Sequence, residues 1–214
     1  MRPSLPRLFA AAPDAITAAI FLTAWIAPTL LGPETVKNLM LTMLIEFIVV
    51  HSSVFYAGIS AVEDIARVKR MLMLLGLAAF YMMFVVAFAF AFDSTWPIFA
   101  FGWLLLSRFA HLWTHPVPGS RETERMMLTW GASCATYVLG ALATVVLPLP
   151  ALGVTPDFVT SMHLSGSGEW IERPQTVLAF GFLYFAVQAR VKYALAGGEQ
   201  RPAPARQLSS GKPS

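Results

Sequence analysis

The chain is most informative at first for what it leaves out. Cys134 is its single cysteine and stands inside an apolar run, so no intramolecular disulfide can form and no cysteine pair is present for zinc or an iron–sulfur cluster. Charged residues make up only 13% of the 214, against 57% hydrophobic, a balance that a water-soluble domain of ordinary composition does not carry. There is no phosphate-cradling glycine loop, no nucleophile elbow and no pair of carboxylates on a soluble face, which removes the common signatures of nucleotide binding, acyl transfer and hydrolysis. No complete catalytic motif is found, and the reading leans away from an enzyme. No internal repeat is visible, so the inverted-repeat mark of many transporters is missing too. The net charge of +3 gathers at the ends of apolar runs and forms no basic stripe, which argues against nucleic acid as a partner.

What the sequence does contain is a series of long apolar segments. A hydrocarbon core about 30 Å thick needs about 20 helical residues to cross it, and six stretches meet that length: 14–31, 36–60, 70–92, 96–114, 126–147 and 174–192. Their borders are punctuated by Gly32-Pro33, Asp93 with Pro97, Pro116-Val117-Pro118-Gly119, Pro148 with Pro150, and Pro174, where proline ends or opens a helix. Arg2 and Arg7 precede the first stretch as in a signal peptide, but five further apolar segments follow, so it is read as a retained span. With six crossings and an inside N-terminus, 13 of the 15 Lys and Arg residues fall inside, and only Lys37 and Arg173 fall outside. That asymmetry is what the positive-inside rule demands.

The expected architecture is therefore all-α: a polytopic membrane helical bundle of about six transmembrane helices over 1–196, with both termini cytoplasmic. A disordered cytoplasmic tail is expected over 197–214. The location is a cell membrane, the inner membrane for a bacterial protein. The partners are the lipid bilayer and then a second copy or other membrane proteins. In the outer loop, Thr155-Pro156-Asp157 is a helix-start signal followed by Phe158 and Met162, which predicts a short interfacial helix, with Trp170 as a headgroup anchor. Glu63, Asp64, Arg67, Lys69 and Arg70 are read as a solvated continuation of the second helix.

Buried polar groups are few enough to consider singly. Glu46 lies ten positions past Val36, roughly 15 Å into its span. A carboxylate there must be neutral, paired or next to water. Asn38, Thr42, Glu46, Ser53, Tyr56 and Ser60 share one side of that helix, as an interhelical hydrogen-bond seam or the wall of a polar path would. His51, five residues on, falls about 140° away, so a Glu46/His51 dyad is not expected; its N–H calls for a partner on a neighbouring helix. The fourth span places Ser107, Arg108, His111 and His115 on one face. His111 and His115 have the separation of two ligands to one metal ion, but no Glu follows the first, as zinc hydrolase motifs require. By depth, His51 could meet His111 and Arg108 could pair with Glu46, so haem b or a divalent metal held by His51, His111 and His115 is the candidate cofactor. On the fifth span, Ala132, Thr136, Gly140 and Thr144 recur every four residues and form a helix-packing ridge, flanked by Gly131, Ser133 and Ala135. The second, fourth and fifth spans are expected at the centre and the Met/Phe-rich third at the periphery.

Three functions fit these residues. The first is a small accessory or scaffold protein acting through helix contacts. The second is a proton-coupled transporter or channel built on Glu46. The third is a haem- or metal-binding membrane redox protein using His51 and His111.

Overall fold

A computed structural model describes residues 5–62, 65–99, 101–102, 120–165 and 167–196. The described chain is helix, turn and loop without a strand. The long helices are α1 (Leu5–Ile26), α2 (Pro33–Ala61), α3 (Arg67–Ala91), α4 (Ser120–Val146) and α7 (Pro174–Leu195). Between the last two lie the short α5 (Pro156–Ser161) and α6 (Glu169–Glu172). The fourth apolar stretch is helical at 96–99 and 101–102, and its remainder, with Ser107, Arg108, His111 and His115, lies outside the described residues, as does the tail from 197.

The protein is an all-helical membrane bundle. Among the described residues four segments are long and apolar enough to cross a bilayer: Arg7–Ile26, Pro33–Tyr56, Val68–Phe90 and Met127–Val146. Helix α7 has the length but is diluted by Gln188, Arg190 and Lys192. It is buried by protein instead, with 11 of its 22 residues out of contact with the surroundings.

Several boundaries differ from the sequence expectation for identifiable reasons. Helix α1 begins nine residues before position 14 because it runs straight through Pro13, which removes one backbone donor but does not stop the helix. It ends at Ile26, where Pro28–Leu30 forms a 3₁₀ turn. Gly32, at φ 81°, then turns the chain into α2 through a conformation that side chains with a Cβ avoid. Helix α2 stops at Ala61 with an extended Val62, and Arg67 opens α3; Arg67, Lys69 and Arg70 therefore belong to α3 and do not continue α2, while Glu63 and Asp64 lie outside the described residues.

Contacts along the helices fix their directions. On α1 and α7, Phe21 meets Gly181 and Phe185, Asp14 meets Lys192, and Arg7 lies over Tyr193. Rising numbers on one helix meet falling numbers on the other, so the pair is antiparallel. Helix α4 is likewise antiparallel to α2, since Tyr137 donates to the Met43 carbonyl and Trp130 to the Val50 carbonyl. Among the described helices α7 lies at the centre, flanked by α1, α4 and α2; the second and fifth spans pack there as expected, and most of the fourth lies outside the described residues. Helix α3 packs on α2, with Tyr81 and Val85 against Ile48, while Leu72, Leu75, Phe80, Met83 and Phe90 face outward, as expected of a peripheral helix.

Close approach explains why these helices hold together in lipid, where hydrocarbon tails compete on equal terms with apolar side chains and packing itself must supply the attraction. Gly181 admits the fully buried Phe21 ring against its backbone. On α4, a methyl at Gly140 would stand 2.7 Å from Cε2 of Phe180. The small-residue ridge of α4 therefore receives α7 at Gly140. The loop before α7 closes the same end of the bundle. Trp25 Nε1 donates to the Pro150 carbonyl, Gly153 N donates to the Trp25 carbonyl, and Gly153 has no room for a side chain beside the Ile26 carbonyl. Helix α5 starts where expected, with Thr155 Oγ1 accepting from Phe158 N at 3.3 Å. Its apolar residues do not face a membrane surface, however: Phe158 and Met162 are buried in the main core, and Trp170 packs against Phe180.

Candidate functional site: a carboxylate at the centre of the bundle

Glu46 is 13 residues into α2 and near the middle of the Pro33–Tyr56 span. Tyr184 is the eleventh of the 22 residues of α7, and Tyr137 is near the middle of the Met127–Val146 span. The opposed directions of α4 and α7 bring all three to one level. There the Tyr184 hydroxyl donates to Glu46 Oε1 at 2.7 Å, the usual length of an O–H···O bond. The Tyr137 hydroxyl donates to the Met43 carbonyl at 2.8 Å, and its ring meets Tyr184 edge-on at 5.6 Å.

The surroundings of this carboxylate are unequal on its two sides. Toward the capped end lie Val36, Met40, Met43, Val177, Phe180, Phe158 and Met162, all in one apolar cluster. Toward the other end α7 offers Tyr184, Gln188 and Lys192 at intervals of four, which puts them along one side of the helix. Ser133 of α4 lies within reach of Tyr184 and 3.1 Å from Gln188 Oε1. Lys192 closes the series with an ion pair to Asp14 at 2.6 Å. The carboxylate of Asp14 belongs to a residue only 8% exposed, and a buried anion of this kind requires a cation.

The other sequence candidates fall elsewhere. Of the polar stripe on α2, Asn38 is exposed, while Thr42, Glu46, Ser53 and Tyr56 are half-buried; Thr42 and Ser53 donate to backbone carbonyls of their own helix, and Glu46 accepts from Tyr184 of α7. His51 does point away from Glu46. Its Nδ1 lies 3.0 Å from the Phe47 carbonyl, so the partner of its N–H is on its own helix and not a neighbouring one. The ring lies 4.0 Å from that of Phe47, tilted by 43°, and borders a cavity of about 220 Å³ shared with Ile48, Phe80, Tyr81 and Phe84. Among the described residues, no three His, Cys, Asp or Glu side chains gather as a metal site. The meeting of His51 with His111 and His115, and of Glu46 with Arg108, involves positions outside the described residues. On α4, Ala132 and Thr136 are half-buried and Thr144 and Gly140 buried.

Two functional candidates escape a reading of single helices. Asp14 stands beside Pro13 and looks like a helix border until α1 is seen to pass through it. Tyr184 is separated from Glu46 by 138 positions. The four-residue recurrence of Tyr184, Gln188 and Lys192 was the signal available in the sequence. Comparison with protein-family models, with curated proteins and with solved structures gives no match.

Proposed function

We propose that this integral membrane protein crosses the bilayer six times with both ends in the cytoplasm, and that it moves protons, alone or coupled to a small solute, through Glu46. The observation that carries this reading is the hydrogen bond between Glu46 and Tyr184 at the centre of the bundle, at the head of a polar track that descends α7 to the Asp14–Lys192 pair. A carboxylate that merely tied helices together would need one donor and no track. Here hydroxyl, amide and ion pair succeed one another toward one end, while Met40, Met43 and Phe180 on the other side belong to an apolar cluster. The sorting of Lys and Arg to one side supports the six-crossing topology, with α7 and the fourth stretch as the two crossings beyond the four apolar segments.

The accessory-protein reading rests on the α4 ridge, and Gly140 of that ridge is occupied from within by Phe180, which favours the Glu46 reading over it. The test is proton flux. Purified protein in liposomes with a trapped pH dye should collapse an imposed pH gradient faster than protein-free liposomes, and Glu46→Gln should return the rate to the protein-free value. Equal rates for wild type and Glu46→Gln would defeat the proposal.

A further inference from the structure

The polar track contains a conflict at its middle. Ser133 has one hydroxyl proton, yet its oxygen lies 2.9 Å from the Thr129 carbonyl and 3.1 Å from Gln188 Oε1, both acceptors. One proton cannot serve both well. Rotating the Gln188 amide by half a turn resolves this, because Nε2 then donates to Ser133 while Ser133 donates to Thr129. Gln188 Nε2, as placed, has no hydrogen-bond partner among the described residues, although Gln188 is only 3% exposed. Buried amide groups are rarely left so, and a polar site of this kind is where a protein holds water.

Gln188 also occupies a particular position. It stands one turn from Tyr184 on one side and one turn from Lys192 on the other, between the carboxylate of Glu46 and the Asp14–Lys192 end of the track. Resting on the Glu46 reading above, we infer that Gln188 is a positioning residue. Its amide holds water that connects Glu46, through Ser133 and Tyr184, to the end of the bundle marked by Asp14 and Lys192. The transfer balances at each link. Glu46 takes the hydroxyl proton of Tyr184 as the Tyr184 oxygen takes one from Ser133, and Ser133 is refilled by the water on Gln188, which takes its proton from a hydronium ion at the mouth and leaves neutral water there. One O–H bond forms for each that breaks, and no electron moves. Among the described residues Phe180, Met43 and Met40 belong to the apolar cluster on the opposite side, so the route is entered from the Lys192 end.

The experiment reads Glu46 itself and needs no transported solute. In the full-length protein in lipid nanodiscs, the infrared band of the protonated Glu46 carboxyl is identified by its loss in Glu46→Gln, and its hydrogen–deuterium exchange is then timed. Gln188→Leu should slow exchange at least tenfold, while Gln188→Ser, which keeps a hydroxyl and opens room for water, should stay within about threefold of wild type. An unchanged band position in both variants shows that the Tyr184–Glu46 bond persists and that the bundle is folded. In a Cys134→Ser background, Gln188→Cys should react with a charged, membrane-impermeant thiol reagent applied from the Lys192 side only. Unslowed exchange in Gln188→Leu, or labelling of the cysteine from the capped side, overturns the route even where Glu46→Gln abolishes proton flux. A Glu46 carboxyl that never exchanges overturns both the route and the function it serves.

Discussion

Replacing Gly181 by alanine is the sharpest test of how α1 and α7 are held together. A Cβ at this position would collide with Cδ1 and Cε1 of Phe21 and come within 2.7 Å of Cζ. That ring is 0% exposed and stacks on Phe185 at 5.6 Å, so it has no space to retreat into without displacing a second ring. Overpacking of a locked core costs about 1–3 kcal/mol, and the upper half of that range applies because three atoms of one ring are struck. Alanine's better helix propensity returns about 1 kcal/mol, leaving a net loss of about 1–2 kcal/mol. Gly76 of α3 provides the control, since a Cβ there meets nothing within 4 Å. Gly76→Ala should therefore be neutral or stabilise by up to about 1 kcal/mol. Reversible unfolding in mixed micelles with increasing denaturing detergent, followed by circular dichroism, measures both. Adding Phe21→Leu should relieve the Gly181→Ala variant, so that the two changes combine to less than the sum of their separate losses by about 1 kcal/mol or more. If Gly181→Ala behaves like Gly76→Ala, or the two losses simply add, the close approach of α1 to α7 is not what stabilises the pair.

Other outcomes follow from contacts elsewhere in the bundle. Thr155→Ala removes the cap of α5 and should cost about 1 kcal/mol, seen as faster amide exchange over 156–161 with α7 unchanged; equal exchange would mean that burial of Phe158 and Met162 alone holds the helix. Lys192→Met leaves the Asp14 carboxylate without its cation. Because the lysine side chain is 40% exposed, the loss should be about 1–3 kcal/mol and not the larger value of a fully buried pair. Changing Asp14 to Leu in the same chain should recover most of it, whereas a further loss would show that the two residues act separately.

How much of this could be read beforehand depends on whether a feature is local. Gly32-Pro33, Thr155-Pro156 and Pro174 each dictate backbone geometry within a few residues, and helices start at all three proline positions. The separation of Glu46 from His51 follows from helical pitch alone, and the two side chains do face different neighbours. The breaker rule fails at Pro13, where packing of α1 on α7 outweighs one missing hydrogen bond, and with it Asp14 moves from a border into a helix interior. Phe158 and Met162 were read from amphipathic spacing as facing a membrane surface. Spacing tells which residues share a face but not what covers it, and here the cover is the protein's own core. The partnership of Glu46 with Tyr184 depends on which distant helices become neighbours, and no local pattern encodes that.

The pairing of α1 with α7 has a consequence for biogenesis. Phe21 and Gly181 lie 160 residues apart, so at a synthesis rate of about 5–20 residues per second roughly 10–30 s pass before the first helix can meet its mate. During that interval an aspartate on α1 awaits the lysine that will neutralise it, and a phenylalanine side chain awaits the glycine that will seat it. A chain interrupted before Pro174 would leave both permanently exposed to lipid, giving the cell a chemical mark by which unfinished copies differ from finished ones.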